Sequence, residues 1–149
     1  MKTVLDTTAR EELTRRIHQL SEHNVAQWGK MNVRQMLQHC VLWEEMALGR
    51  MPVKRSFIGR IFGRVALRDL TKSDAPLRKN TPTSPELKIT TEVNSDFEQT
   101  KERWIALIAE HDSPNTTGIM HPFFGEMSPG QIVLLSYKHA DHHLRQFGC

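Results

Sequence analysis

Cysteine is scarce in this chain: Cys40 and Cys149 are the two among 149 residues. Cys40 falls inside an apolar helical pattern and Cys149 is the final residue. A disulfide between them is not expected, and the pair fits a reducing, cytoplasmic setting. Long apolar runs are missing too. Nothing approaches the roughly 18 consecutive apolar residues of a membrane span. The opening MKTVLDTTAREEL has a lysine but no apolar stretch to make a secretory signal. Charge of one sign is not in excess. Twenty Lys and Arg face 17 Asp and Glu, a net of +3 with histidines neutral, so the chain as a whole implies no polyelectrolyte partner. Internal repeats are absent. What remains is 38% hydrophobic and 25% charged, an ordinary globular composition of one-domain size covering residues 1–149.

Helix-start signals, by contrast, are plentiful. In a capping box, a Ser or Thr side chain and a Glu or Gln three residues later each satisfy a free backbone N–H. TARE supplies Thr8 and Glu11, SDFE supplies Ser95 and Glu98, and SPGQ supplies Ser128 and Gln131. Pro129 then stands at the first helical position, where its missing N–H costs little. NVRQ, with Asn32 and Gln35, is a close variant. Each heads an amphipathic stretch, and the reading is four helices at about 8–22, 32–48, 95–111 and 128–147. Between the second and third lie about 45 residues, longer than a simple turn. Part of it, SFIGRIFGRVALRDL, has helical periodicity in Phe57, Ile61 and Val65, reinforced by Ile58 and Phe62. The proline-containing stretch after it reads as an irregular connection, and LKITTEV reads as a short extended segment. Gly118, Pro122, Gly125 and Pro129 mark a loop before the last helix. The expected fold is all-α, an up-down four-helix bundle with a long crossover between helices 2 and 3.

The last helix carries three histidines within YKHADHHLRQF. At about 100° per residue, Val133, Tyr137, Ala140, Leu144 and Phe147 form its core stripe. His139 and His143 stand i, i+4, one above the other at the edge of that stripe, while His142 points nearer to solvent. Two imidazoles at this spacing can reach one ion, and they can equally be the polar side of a packed helix. A further ligand would come from another helix. The second helix has one histidine, His39, flanked by Met36, Trp43 and Met46. His18, His23 and His111 sit near helix ends, where solvation or a dipole interaction explains them.

WGKMNVRQMLQHCVLWEEMALG, a Trp before a helix with a single His, resembles the early signature of the DinB-like superfamily of four-helix proteins. HADHHLRQFG resembles its late His-x-x-x-His signature, and HPFFGEMSPGQ resembles an uncharacterised branch with a His-Pro-x-Phe-Gly stretch. The resemblance runs from about Trp28 to Gly148. It implies a three-histidine divalent metal site on His39, His139 and His143.

Imidazole suits zinc, nickel or iron. Three ligands leave positions open, the usual mark of a catalytic metal. The implied protein is a small metalloenzyme acting on a small-molecule substrate. Relatives suggest activation of a low-molecular-weight thiol for S-transfer; a metal-dependent hydrolase is the neighbouring possibility. His121, Glu126 and Tyr137 are the second-sphere or substrate candidates, each with a packing or turn explanation beside it. Glu44 could bond a ligand imidazole or be solvated. Arg145 and Gln146 read as helix-end or partner contacts. Bundles of this kind often pair through an apolar helix face, which makes a homodimer one expectation, with no feature of the sequence that fixes it.

The crossover offers a function of another class. Segment 53–72 holds Lys54, Arg55, Arg60, Arg64, Arg68 and Lys72 against Asp69. A basic amphipathic helix can hold an anionic membrane or nucleic acid. The preferred reading packs Phe57, Ile61 and Val65 on the bundle and leaves the arginines in water, with neither nucleic acid nor an anionic membrane as partner. The alternative is a non-catalytic binding protein that uses 53–72 on an anionic partner.

Overall fold

The structure, a computed structural model, describes residues 1–113 and 117–149. Its described residues form five α-helices, one 3-10 turn and a two-stranded hairpin. The helices are α1 (Thr7–His18), α2 (Val33–Ala47), α3 (Phe57–Thr71), α4 (Phe97–Glu110) and α5 (Pro129–Gln146). The 3-10 turn is Pro85–Leu87. Strands β1 (Ile119–His121) and β2 (Gly125–Met127) pair antiparallel just before α5, with Ile119 opposite Met127 and His121 opposite Gly125. The fold is therefore mostly helical. The hairpin occupies what the sequence reads as a loop, and LKITTEV forms no strand.

Two helix starts follow the sequence reading and two shift. Asn32 and Gln35 form a complete capping box on α2, as do Ser128 and Gln131 on α5. At α1 the cap is Asp6, whose carboxylate accepts from Ala9 N at 3.1 Å, not Thr8. At α4 it is Asp96, accepting from Gln99 N at 2.7 Å, not Ser95. In both places an ionised carboxylate near the hydroxyl takes the cap. A negative charge gains more than a neutral oxygen at the positive end of a helix.

The main core gathers Leu13 and Ile17 of α1, Met36 and Cys40 of α2, Trp104 and Leu107 of α4, and Val133, Ala140 and Leu144 of α5. Each fully buried Leu or Ile contributes about 1.5–3 kcal/mol by leaving water. A second cluster lies under the crossover and joins Trp43 and Met46 of α2, Leu67 of α3, Leu87, Met127, and Ile132 and Leu135 of α5. Helix α5 thus faces one apolar cluster on each side. Cys40 and Cys149 are both free.

The crossover contains α3, and α3 sits the opposite way round from the sequence expectation. Its inward face is Gly59, Gly63 and Leu67. A Cβ at either glycine would overlap the Phe123 carbonyl, so only glycine lets this helix lie against the hairpin turn. Phe57, Ile58, Ile61, Phe62 and Val65 are exposed. The apolar stripe read as core therefore points outward, because backbone contact through the two glycines sets the helix's rotation.

Candidate metal centre

Helix α2 brings His39 and helix α5 brings His139 and His143 to one buried place, their nearest ring nitrogens all within 4.8 Å of one another. The three rings are 3%, 8% and 6% exposed. His39 Nε2 lies 2.9 Å from His139 Nε2. The ring centroids of His39 and His143 are 4.8 Å apart, and those of His139 and His143 4.5 Å. The i, i+4 spacing stacks the α5 pair on one face, and His39 meets them from the facing helix.

Hydrogen bonds behind the rings decide which nitrogens face the centre. His39 Nδ1 is 2.8 Å from the Leu87 carbonyl oxygen. A carbonyl only accepts, so His39 carries its proton on Nδ1 and leaves Nε2 as a bare lone pair. His143 Nδ1 is 2.7 Å from Gln146 Oε1. The amide of Gln146 is oriented by its own Nε2, which donates to the Trp28 carbonyl at 2.7 Å. His143 is therefore also protonated on Nδ1, with Nε2 bare. Gly29 makes room for this arrangement: its φ is +82°, and a Cβ there would come 2.7 Å from Gln146 Nε2. His139 is held by stacking instead, its ring 4.5 Å from Trp43 and nearly parallel at 21°. Its Nδ1 is buried without a hydrogen-bond partner.

Burial keeps all three rings neutral. It lowers the pKa of His39 from the usual histidine range, against the Leu87 bond, which raises it. His139 lies well below that range, first through burial and then through His143 and His39 beside it. His143 does likewise, through burial and then His39, with the Gln146 bond acting the other way. Two neutral imidazoles, His39 and His143, have their Nδ1–H groups tied to oxygens behind them and Nε2 bare, as a divalent cation requires. The third, His139, places its Nε2 2.9 Å from that of His39, where its N–H donates in the absence of an ion and its lone pair would serve in the presence of one. These residues fit such an ion.

The remaining sequence candidates are spread more widely. His121, on β1, is buried beside the centre rather than in it: its ring lies 5.5 Å from Trp43. Its Nδ1 accepts from the backbone N–H groups of Phe123 and Phe124 at 3.0 and 3.1 Å, while Nε2 has no hydrogen-bond partner. Burial, with Arg55 nearby, lowers its pKa to about 4. Glu126 is exposed on β2. Tyr137 is half-buried against the main core, under the Lys2 ammonium. His142 does not point to solvent: it is buried, with Nδ1 3.3 Å from the Leu77 carbonyl and its ring against Trp28. The crossover chain covers that side of α5. Lys138 anchors it there, donating to the carbonyls of Leu70, Ser73 and Ala75.

Glu44 is fully buried, but its partners are His111 Nε2 and Ser136 Oγ, each at 2.7 Å, rather than a ring of the trio. His111 is accordingly a core residue, not a solvated helix end. His18 and His23 are exposed. Arg145 pairs with Asp141 at 2.9 Å. Gln146, read from sequence as a helix-end contact, is buried and holds His143. Its i, i+3 spacing from that histidine was the available signal.

Comparison with curated proteins and with solved structures gives no match. A family model does match, and it spans residues 1–148. The chain therefore belongs to the family described as "Protein of unknown function (DUF1569)".

Proposed function

We propose that this chain is a divalent-metal protein of DinB-like architecture, with α1, α2, α4 and α5 as its four-helix bundle and His39, His139 and His143 as its ligands. The observation that carries the reading is the pair of preset rings. His39 and His143 are each locked by an oxygen acceptor into the form that presents Nε2, and those lone pairs meet at a buried point with His139. Polar packing alone needs no such alignment. Three neutral ligands would leave the full charge of an ion available to a substrate group, and the chemistry it would supply is a lowered pKa for a bound water or thiol.

The protein's own contribution is orientation and exclusion of water. Leu87 and Gln146 fix two rings, Trp43 braces the third, and the apolar residues around them keep the local dielectric low. We favour a small cytoplasmic metalloenzyme that joins a low-molecular-weight thiol through its sulfur to an electrophilic carbon, the thiol losing its proton and the substrate its leaving group as the thioether forms. Zinc, nickel and iron all suit the donor set. The test is a panel of low-molecular-weight thiols with electrophiles, run on metal-loaded and chelator-stripped protein. Metal-dependent appearance of the thioether is expected. Turnover of hydrolysable esters or amides without conjugate would move the protein to the hydrolases, and no metal-dependent product of either kind would reject the enzyme reading.

A further inference from the structure

Helix α3 carries three parallel rows of side chains, each at i, i+4 spacing. Gly59, Gly63 and Leu67 face inward against the hairpin and α5. Phe57, Ile61 and Val65, widened by Ile58 and Phe62, face outward, and every one of these five is more than half exposed. Arg60, Arg64 and Arg68 form the third row, also exposed, along one flank of the apolar ridge. The helix cannot roll over to hide the ridge, because the Phe123 backbone occupies the space that any side chain larger than hydrogen would need at positions 59 and 63. A contiguous apolar ridge of this kind on a small protein marks a contact surface.

Charge decides what the surface meets. Arg60, Arg64 and Arg68 take part in no ion pair among the described residues, whereas most other arginines of the chain are paired. The one acidic residue of α3, Asp69, is held by Lys72. A second copy of this helix would bring more arginine and no free carboxylate to the contact. Nucleic acid would neutralise the arginines but leave five large apolar side chains in water. A bilayer with anionic headgroups meets both needs, since apolar side chains enter the acyl boundary while guanidinium groups stay with the phosphates.

We infer that α3 is a membrane-surface helix, laying Phe57, Ile58, Ile61, Phe62 and Val65 into an anionic bilayer with Arg60, Arg64 and Arg68 on its headgroups. The helix would lie in the plane of the membrane surface; no helix among the described residues is long and apolar enough to cross a bilayer. This inference is independent of the metal reading.

The experiment is flotation of the full chain with vesicles of phosphatidylcholine alone and of phosphatidylcholine with phosphatidylserine, at low and high salt. Binding to the anionic vesicles is expected, weakened by salt. The triple substitution Arg60→Gln, Arg64→Gln, Arg68→Gln should weaken it roughly 100-fold, at about fivefold per arginine. Ile61→Ser with Phe62→Ser should abolish it while leaving the circular dichroism unchanged, because both side chains already stand in water. Three results would each overturn the inference: no vesicle binding at low salt, binding that both variants retain, or a stable dimer in solution that Ile61→Ser with Phe62→Ser dissociates. Duplex DNA that displaces the vesicles at equal charge would assign the surface to nucleic acid instead.

Discussion

Gln146 shows how much of the centre depends on a residue that never faces it. Its amide is a relay: Trp28 fixes one end, and the other fixes the tautomer of His143. Replacing such an outer partner costs about 10–100-fold in metal affinity. Gln146→Leu should therefore weaken zinc binding by that factor in a chelator competition, and Gln146→Glu should not restore it, because a carboxylate has no N–H for the Trp28 carbonyl and sets an acceptor oxygen against it. Equal affinity in wild type and Gln146→Leu would mean that the amide does not set the ring. His121 makes a different point. Its folded pKa of about 4 lies below the unfolded value of 6.5, so the unfolded chain binds its proton first on acidification. The neutral ring's contribution is fully present above pH 6.5 and is lost as pH falls through that window, on the order of 3 kcal/mol in all. The metal-free protein should lose urea resistance between neutral pH and about pH 5. His121→Asn should lose less, because it has no proton to take up. An unchanged pH slope in the variant would place the acid sensitivity elsewhere, with the three clustered histidines as the next groups to titrate.

At the scale of elements, α3 and the hairpin are where pattern reading and structure part. The periodicity of Phe57, Ile61 and Val65 identifies a helix correctly, since the spacing is a property of the segment itself. It cannot say which side is buried, because the two glycines on another face approach the Phe123 backbone more closely than any side chain allows. That contact depends on a turn some 60 residues away, which local pattern does not encode. Gly63→Ala tests it. The added methyl must push α3 off the hairpin, and overpacking of this kind costs about 1–3 kcal/mol. The urea midpoint should fall accordingly with an unchanged slope. Neutral behaviour would mean that the helix is not pressed on the Phe123 carbonyl. The helix caps teach a milder version of the same lesson. Asn32 and Ser128 are legible because each is followed by Gln three residues on, while Asp6 and Asp96 win where a carboxylate stands close to the hydroxyl.

Over the whole molecule, the histidine trio was the most legible part of the site. His139 and His143 share a face by spacing alone, and His39 is the one histidine of the neighbouring helix. The oxygens that orient these rings were less accessible: Leu87 acts through its backbone, where no side-chain pattern could point, and Trp28 does the same. The sequence also gives no hint that the crossover chain closes over α5 through Lys138 and His142, because amphipathic reading assumes that one side of a helix meets water. In the folded chain α5 is covered nearly all round, which is how polar residues come to be buried and neutral at its centre. An ion bound there would stabilise the folded state by mass action, by about 2.7 kcal/mol at a hundredfold excess over its dissociation constant, and would tie α2 to α5. The most direct test is the metal content of untagged protein, by elemental mass spectrometry, for wild type and for His143→Ala. About one divalent ion per wild-type chain is expected, largely lost in the variant. A wild type that is empty and takes up no zinc, nickel or iron on titration would contradict the metal reading, leaving the three rings as polar packing.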